Sequence, residues 1–279
     1  MAEKIAIVTG ANKGLGFSIV KGLCEKFEGT TYLTSRDEKR GREACLKLQE
    51  LGYTPEFHQL DVTNDESISK FCNFLHSENK KVHILVNNAG ILFLKNAKES
   101  KICQAEETLT VNLFALVKFT EKILSFMDDN STILNISSSS GHLSRIPSQK
   151  LRDKISDPNL DVEGLKILMQ QYIDCVLSNR SADEWGDSPY VVSKVGVNAY
   201  TFMLNRRLAS KGIKVNCVHP GYVISDMTRG VGSIVPDDAA KIPLTIAFYP
   251  EQGGKYVWHN GQNVPWDGPD PRGYIDGKF

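Results

Sequence analysis

The feature that most constrains the fold is a glycine-rich segment that directly follows an apolar run near the start of the chain. The run Ile5-Ala-Ile-Val8 has the composition of a strand, and Gly10, Gly14 and Gly16 come after it. Glycines at this spacing let the backbone turn tightly, begin a helix and approach a pyrophosphate closely. The helix N-terminus would offer free N–H groups and a positive dipole end to the anion. The segment therefore predicts a strand–turn–helix unit with a phosphate site.

Strand-like runs and helical patterns alternate along the chain, which predicts an α/β fold with a doubly wound parallel sheet and crossover helices. Strands are predicted at 5–10, 30–35, 55–60, 82–87, 131–137, 213–218 and 254–258. Helices are predicted at 14–27, 38–51, 64–79, 104–127, 188–210 and 236–248. No repeat or low-complexity linker divides the pattern, so we expect a single domain over residues 1–279 with helices on both faces of the sheet.

The segment from about 142 to 189 breaks this alternation and is interpreted as a helical insertion. Apolar residues recur in it at three- and four-residue spacing, which predicts an amphipathic helix of about three turns that packs on the body of the protein. They are Leu165, Leu168, Met169, Tyr172, Ile173 and Val176. The tail at about 253–279 is rich in Gly, Pro and Asn, which predicts loop.

The composition argues against several function classes. The chain has 33 basic and 33 acidic residues, so it lacks the charge excess of a protein that binds nucleic acid or an anionic membrane. No apolar run approaches the roughly 20 residues of a membrane span. Six scattered cysteines without a C-x-x-C pair indicate reduced thiols and no metal site. Residues 1–4 leave no room for a signal peptide, so we expect a cytoplasmic protein.

Four further motifs follow the glycine loop in a definite order. They are Asn87-Asn88-Ala89-Gly90 after the fourth predicted strand, Asn112, Ser137-Ser138 after the fifth strand, and Tyr190-Val-Val-Ser-Lys194 at the start of a helix. Together with the glycine loop they resemble the short-chain dehydrogenase/reductase family over nearly the whole chain. The resemblance implies a Rossmann-type fold and hydride transfer between a nicotinamide cofactor and a carbonyl.

The resemblance assigns catalytic roles to Asn112, Ser138, Tyr190 and Lys194. Carbonyl reduction needs a proton donor and a group that polarises the oxygen. Tyr190 would donate the proton, and Lys194, one helical turn later, would lower its pKa and hold the nicotinamide ribose. Ser138 would hydrogen-bond the substrate oxygen, since Gly141 follows it by three residues as in the family pattern. Asn112 would steady a water that links the lysine to solvent.

The resemblance also implies a cofactor shell at the carboxyl ends of the strands. Its residues are Gly10, Asn12, Lys13, Gly14, Leu15, Gly16, Arg36, Asp61, Val62, Asn88, Ala89, Gly90, Tyr190, Lys194, Pro220, Gly221, Val223 and Ser225. Asp61 and Val62 would contact the adenine, and Ser225 would contact the nicotinamide carboxamide.

Two cations favour NADPH as the cofactor. The acidic position that binds the ribose 2′-hydroxyl of NAD falls on Ser35, which is neutral, and Arg36 follows it. Arg36 and Lys13 of the glycine loop would bind the 2′-phosphate. If the register slips by two residues, however, Asp37 takes the acidic position and NAD becomes the cofactor.

Ser138 and Tyr190 are 52 positions apart, far more than in most of the family. The insertion between them resembles that of the carbonyl reductase branch, as does Asn12-Lys13 in the glycine loop. In ordinary members of the family, the long helices that begin near Asn112 and Tyr190 pair between subunits. A helix added by the insertion would cover that surface. We therefore expect a monomer whose insertion borders a substrate pocket formed by Ser138, Tyr190 and Tyr222.

Three function hypotheses follow. The first is broad NADPH-dependent reduction of ketones, aldehydes or quinones. The second is a dedicated ketone reductase or alcohol dehydrogenase for one metabolite, such as a pterin, steroid or terpenoid, because Tyr222 stands where related reductases often have tryptophan. The third is a non-catalytic dinucleotide-binding sensor, which a damaged catalytic set would indicate.

Overall fold

A computed structural model describes residues 3–271 of the chain. Within these residues one sheet contains seven parallel strands: β1 Glu3–Val8, β2 Thr30–Ser35, β3 Glu56–Gln59, β4 Lys80–Asn87, β5 Met127–Ile136, β6 Lys214–His219 and β7 Tyr256–Trp258. Their order is β3-β2-β1-β4-β5-β6-β7, which confirms the predicted doubly wound parallel sheet. The order reverses between β1 and β4, and this switch opens a crevice at the carboxyl ends of the strands.

Helices cover both faces of this sheet. They are α1 Gly14–Lys26, α2 Glu38–Glu50, α3 Asp65–Ser77, α4 Lys101–Leu109, α5 Ala115–Ile123, α6 Gln149–Ile155, α7 Val162–Leu177, α8 Ser181–Glu184, α9 Pro189–Leu208, α10 Pro236–Ala239 and α11 Lys241–Phe248. One apolar core, with Phe71 and Phe119, lies on the face of α3, α5 and α9. A second core, with Ile19 and Leu48, lies on the face of α1, α2 and α11. Among the described helices, none is long and apolar enough to cross a membrane.

The structure corrects the prediction of one helix over 104–127. α4 begins earlier, at Lys101, and a π-helical turn, Thr110–Phe114, joins it to α5. At its other end the prediction is too long, since Met127 already belongs to β5. Asn112 lies in the π-helical turn and bonds to the backbone of Ile91. This tertiary contact leaves no signal in the hydrophobic periodicity, which is why the sequence predicted an unbroken helix.

The predicted helix over 236–248 is also divided. α10 ends at Ala239, and α11 begins at Lys241. Pro243 has no N–H to donate to the carbonyl four residues earlier, at Ala239, so the regular hydrogen-bond ladder is interrupted between the two helices.

Three helices lie in the predicted insertion, where the sequence indicated one. α7 is the predicted amphipathic helix, but it is 16 residues long and therefore exceeds three turns. α7 packs against α4 and α9, and its buried residues are Leu165, Leu168, Met169, Tyr172 and Ile173. α6 and α8 are too short for a hydrophobic period to identify them, so sequence periodicity missed both.

Replacement of Leu165 by alanine tests how the insertion packs. Leu165 is 1% exposed, whereas Ile167, two residues away in the same helix, is 60% exposed. We expect Leu165→Ala to lower the free energy of unfolding by about 2–5 kcal/mol, and the control Ile167→Ala to change it by at most about 0.5 kcal/mol. Urea unfolding followed by circular dichroism measures both values. Equal losses would contradict the described packing of α7.

Candidate active site

A cleft with a volume of about 1500 Å³ opens at the carboxyl ends of the strands. Pockets for drug-sized ligands typically span roughly 300–1,000 Å³, so this cleft has room for a large cofactor and a small substrate together. The cleft is lined mainly by segments that follow β1 to β6, by the first turns of α9 and by His259 after β7. Every site residue predicted from the sequence lines it, except Asn112.

Close packing against the exit of β4 explains the glycines that follow β1. Gly10 has a φ of +60°, and a Cβ there would lie 2.9 Å from the Cα of Ala89. A Cβ on Gly16 would lie 2.5 Å from Asn88 Nδ2. That nitrogen donates to the carbonyls of Thr9 and Gly10, at 2.9 and 3.1 Å. Larger side chains would push the loop away from these partners.

The first turn of α1 is suited to an anion. Lys13 is the N-cap residue but makes no capping hydrogen bond with its side chain, and the first turn contains no acidic residue. Gly14 lines the cleft and has a φ of +58°, in the left-handed region that favours glycine. Uncapped N–H groups at the positive end of a helix dipole fit the pyrophosphate of a dinucleotide.

The charged groups after β2 bear on the choice between NAD and NADP. Ser35 is buried at the end of the strand. Asp37 is the N-cap of α2, where its carboxylate accepts from the N–H of Arg40 at 3.0 Å and lies 3.4 Å from Arg40 Nε. Asp37 is the acidic residue that would favour NAD if the register slipped. Its carboxylate instead caps α2. Arg36, Asp37 and Arg40 all line the cleft. Because Arg40 shares its charge with Asp37, Arg36 is the guanidinium group that favours an added phosphate.

Lys13 and Arg40 differ from their sequence-based assignments. Lys13 Nζ forms an ion pair with Asp226, 2.6 Å away, which lies in the segment after β6. Its charge is therefore shared with a carboxylate that the sequence analysis did not consider. Arg40 was not singled out from the sequence, because only the start of α2 beside the cleft places it near Arg36.

The candidate adenine residues follow β3. Asp61 Oδ1 accepts from the N–H of Thr63 at 2.9 Å and from its hydroxyl at 2.7 Å. These bonds shape the turn in which Asp61 and Val62 line the cleft.

The segment after β6 closes on itself beside the cleft. Gly221 has a φ of +86°, and a Cβ there would lie 2.4 Å from Ile234 Cδ1. The Thr228 hydroxyl donates to the carbonyl of Val223 at 2.9 Å and accepts from the N–H of Ser225 at 3.0 Å. Pro220, Gly221, Tyr222, Val223 and Ser225 all line the cleft, and Tyr222 is 53% exposed.

Ser138, Tyr190 and Lys194 converge where β5 ends and α9 begins. The side chain of Ser188 caps α9, and Pro189 occupies its first turn, so the helix starts one residue before Tyr190. Lys194 lies one turn further on the same face, with its Nζ 5.7 Å from the centre of the Tyr190 ring. The predicted catalytic hydroxyls and amine are thus brought together.

Burial dominates the charge states of Tyr190 and Lys194. It raises the pKa of Tyr190, and a hydrogen bond with Ser138 offsets part of that rise. It lowers the pKa of Lys194 to about 8, and Lys194 Nζ donates to the carbonyl of Ile136 at 2.8 Å. The pKa of Tyr190 therefore moves opposite to the lowering expected from the lysine charge, because burial disfavours the phenolate. At neutral pH the phenol stays protonated and the lysine is mostly cationic.

Asn112 lies behind the lining of the cleft. Its amide oxygen accepts from the N–H of Ile91 at 2.7 Å, and its amide nitrogen donates to the Ile91 carbonyl at 3.0 Å and to Ser193 Oγ at 3.2 Å. The amide thereby fastens the segment after β4 to α9, a contact that the resemblance did not imply.

Residues from β6, β7 and the turn after β7 complete the site, and the sequence analysis missed them. His219 and His259 line the cleft, and burial lowers the pKa of His219 to about 3, so its imidazole is neutral. Tyr256 donates its hydroxyl to the carbonyl of Ser138 at 2.6 Å. The position of His219, directly before Pro220, was a usable signal. Tyr256 is 118 positions from Ser138, and no local pattern links them.

The sequence model of a known family covers most of the chain. That model, described as short chain dehydrogenase, matches residues 4–149 and 176–234. The stretch it passes over, 150–175, falls within the predicted insertion.

Individual proteins match over nearly their full length. Carbonyl reductase (NADPH) 3 of Rattus norvegicus is 38% identical over 255 residues, covering 89% of this chain and 92% of that protein. Carbonyl reductase (NADPH) 1 of Mus musculus is 36% identical over 275 residues, covering 95% of this chain and 99% of that protein.

Solved structures agree with this assignment. Salutaridine reductase from Papaver somniferum has a TM-score of 0.83 at 28% identity, covering 91% of this chain and 99% of that one. Menthone neomenthol reductase from Mentha piperita has a TM-score of 0.78 at 25% identity, covering 93% of this chain and 99% of that one. With its doubly wound sheet, its glycine loop and the Ser138, Tyr190 and Lys194 cluster, the chain belongs to the short chain dehydrogenase family.

Proposed function

We propose that this protein uses NADPH to reduce the carbonyl group of ketones, aldehydes or quinones to an alcohol. The observation that carries the proposal is the convergence of Ser138, Tyr190 and Lys194 on the cleft that the glycine loop also lines. Similar proteins that cover most of the chain are named as NADPH carbonyl reductases, which supports both the cofactor and the reaction.

The side chains of the protein supply the polarising and proton-donating groups. The Ser138 hydroxyl donates a hydrogen bond to the substrate oxygen. Tyr190, which burial keeps protonated, donates a proton to that oxygen as it gains charge. Lys194 stabilises the phenolate that remains and holds the nicotinamide ribose. NADPH, when bound, supplies the hydride. Asn112 supports this arrangement by holding the segment after β4 against α9.

The other cofactor contacts are assigned along the carboxyl edge of the sheet. Gly10, Asn12 and residues 14–16 would surround the pyrophosphate, Asp61 and Val62 the adenine, and Asn88, Ala89, Gly90, Pro220, Gly221, Val223 and Ser225 the nicotinamide half. Arg36 would hold the 2′-phosphate, with Arg40 beside it in the lining of the cleft. Lys13 has a lesser role there because Asp226 already pairs with it.

We also infer that residues 1–279 form one domain and that the protein is a cytoplasmic monomer. α7 packs on α4 and α9. By the family resemblance, the helices of this region pair between subunits in ordinary members, and α7 covers them here. The six cysteines, all within the described part of the chain, form no disulfide there.

A second candidate function is the reduction of one particular ketone. Two solved structures that resemble this chain are reductases named after particular compounds, salutaridine reductase and menthone neomenthol reductase. The chemistry at Tyr190 would be the same, and the specificity would come from residues at the rim such as Tyr222. A non-catalytic sensor is the weaker hypothesis, since Asn112, Ser138, Tyr190 and Lys194 are all present.

Tyr190→Phe tests the assignment of the proton donor. We expect kcat with NADPH and a quinone or aromatic aldehyde to fall by about a hundredfold or more, because general acid catalysis typically contributes about 10²–10⁴. The affinity for NADPH should be retained. The measurements are loss of reduced-nicotinamide absorbance and titration of intrinsic fluorescence with NADPH. The matched control is Tyr200→Phe, a fully buried tyrosine of α9 that donates to Glu121.

Full turnover by Tyr190→Phe would show that another group donates the proton. If the natural sequence binds NADPH but reduces none of these carbonyls, a panel of pterin, steroid and terpenoid ketones distinguishes a narrow reductase from a sensor.

Arg36→Ala tests the preference for NADPH. We expect the KM for NADPH to rise about tenfold or more, because a hydrogen bond to a charged group contributes about 1.5–3 kcal/mol. The KM for NADH should change little, since NADH lacks the 2′-phosphate. Steady-state kinetics with both cofactors measure the difference. Arg42→Ala is the control, because Arg42 is an exposed arginine of α2 that pairs with Glu38. An equal rise for both cofactors would contradict the assignment.

The pKa of Lys194 predicts an alkaline limit for cofactor capture. This pKa is lowered from 10.5 to about 8, so the side chain is cationic below that pH and neutral above it. We expect kcat/KM for NADPH to be level near pH 6–7 and to fall as pH rises through about 8, since the charge that holds the ribose is lost. A profile measured from pH 6 to 10 tests this. In Lys194→Arg the fall should disappear, and a flat profile for the natural sequence would refute the role of the charge.

A further inference from the structure

The chain segment 256–266 contacts the loop that carries Ser138. We call residues 138–142 the serine loop. Tyr256 donates its hydroxyl to the carbonyl of Ser138 at 2.6 Å, and Trp266 donates its indole N–H to the carbonyl of Gly141 at 2.7 Å. The backbone N–H of Leu143 donates to the carbonyl of Trp266 at 3.0 Å. The serine loop is therefore held at both ends by a segment more than a hundred positions away.

The two donors are themselves rigidly held. Tyr256 is fully buried in β7, and Trp266 is 8% exposed. The Trp266 ring packs on Phe202 of α9, with the ring centres 5.3 Å apart. Since a buried side chain in a packed core has little rotamer freedom, these donors fix the positions of their acceptors.

Tyr256 acts on the peptide that sets the direction of the Ser138 side chain. The Ser138 carbonyl also accepts from the N–H of Gly141 at 2.9 Å, and Ser138 Oγ accepts from the N–H of Ser140 at 3.1 Å. The Ser138 side chain also hydrogen-bonds Tyr190. Burial raises the pKa of Tyr256, and Tyr190 contributes to that rise, which agrees with the closeness of the two phenols.

This contact lies outside the part of the chain that the family model matches. The match ends at residue 234, whereas Tyr256 and Trp266 come later. The donors of both hydrogen bonds to the serine loop therefore lie in the C-terminal segment of the chain, beyond the residues that the family model matches.

We propose that Tyr256 is a positioning residue for Ser138, so that segment 256–266 must be docked for the serine hydroxyl to meet the substrate oxygen. The proposal rests on the proposed function, in which Ser138 polarises the carbonyl. Tyr256 does not touch the substrate in this role and acts through the Ser138 peptide.

Tyr256→Phe removes only the hydroxyl that reaches Ser138. We expect kcat to fall about tenfold, because a small misplacement of a catalytic group has a large effect on rate. The KM for NADPH should be unchanged. Tyr200→Phe is the matched control, since it also removes the hydroxyl of a fully buried tyrosine, here one bonded to Glu121 at 2.7 Å. If the loss of activity came only from lower stability, kcat would fall in both variants. An equal fall in both would overturn the proposal.

A double-mutant cycle with Ser138→Ala adds a readout that a structural role would not change. We expect Tyr256→Phe to have no further effect on the residual kcat when the Ser138 hydroxyl is absent. Equal effects in the two backgrounds would show that Tyr256 acts independently of Ser138.

Hydrogen exchange separates this proposal from the proposed function. We expect the amides of Ser140 and Gly141, whose acceptors belong to Ser138, to exchange faster in Tyr256→Phe and in Trp266→Phe, but not in Tyr200→Phe. Mass spectrometry of peptides covering 138–145 measures this in the full chain without any substrate. Faster exchange in a protein that reduces no carbonyl would refute the proposed function but leave the contact intact. Unchanged exchange together with unchanged kcat would refute the positioning role.

Discussion

The hydrogen bonds of Asn88 with the turn after β1 are the constraint on which the rest of the site depends. Asn88 Nδ2 donates to the carbonyls of Thr9 and Gly10, and the Thr9 hydroxyl accepts from the N–H groups of Asn88 and Ala89. The exits of β1 and β4 would otherwise diverge, because the chain order reverses between them. These bonds satisfy partly buried polar groups, hold the glycine loop against β4, and so place the N-terminus of α1 at the cleft.

Burial of Tyr190 and Lys194 determines the electrostatics of the catalytic groups. A tyrosine in water would release its proton far above neutral pH, and burial moves the Tyr190 pKa higher still, while it moves that of Lys194 down to about 8. Both shifts have one cause, since a low-dielectric site disfavours the charged form of each group. The result is a protonated phenol beside a cation that can still lose its charge, which suits proton donation to a reduced carbonyl.

Distant segments enclose this centre. The helix α7 of the insertion covers α4 and α9, and the segment after β6 reaches the glycine loop through the Asp226–Lys13 ion pair. From the C-terminal side, Tyr256 and Trp266 hold the serine loop. Each of these contacts joins parts of the chain that have no common local pattern, so the cleft is a product of the complete fold.

The sequence by itself determined the parallel sheet, the glycine loop and the Tyr190–Lys194 pair, because strand composition, turn chemistry and helical spacing depend on residues close together in the chain. Pro243, a local signal, could also have shown the break before α11. Only the tertiary structure decided that Arg36 and Arg40 lie together at the cleft, that Asn112 lies in a π-helical turn, and that Tyr256 reaches Ser138. Burial and contacts across more than a hundred positions arise when the whole chain excludes water, and no short stretch of sequence contains that information.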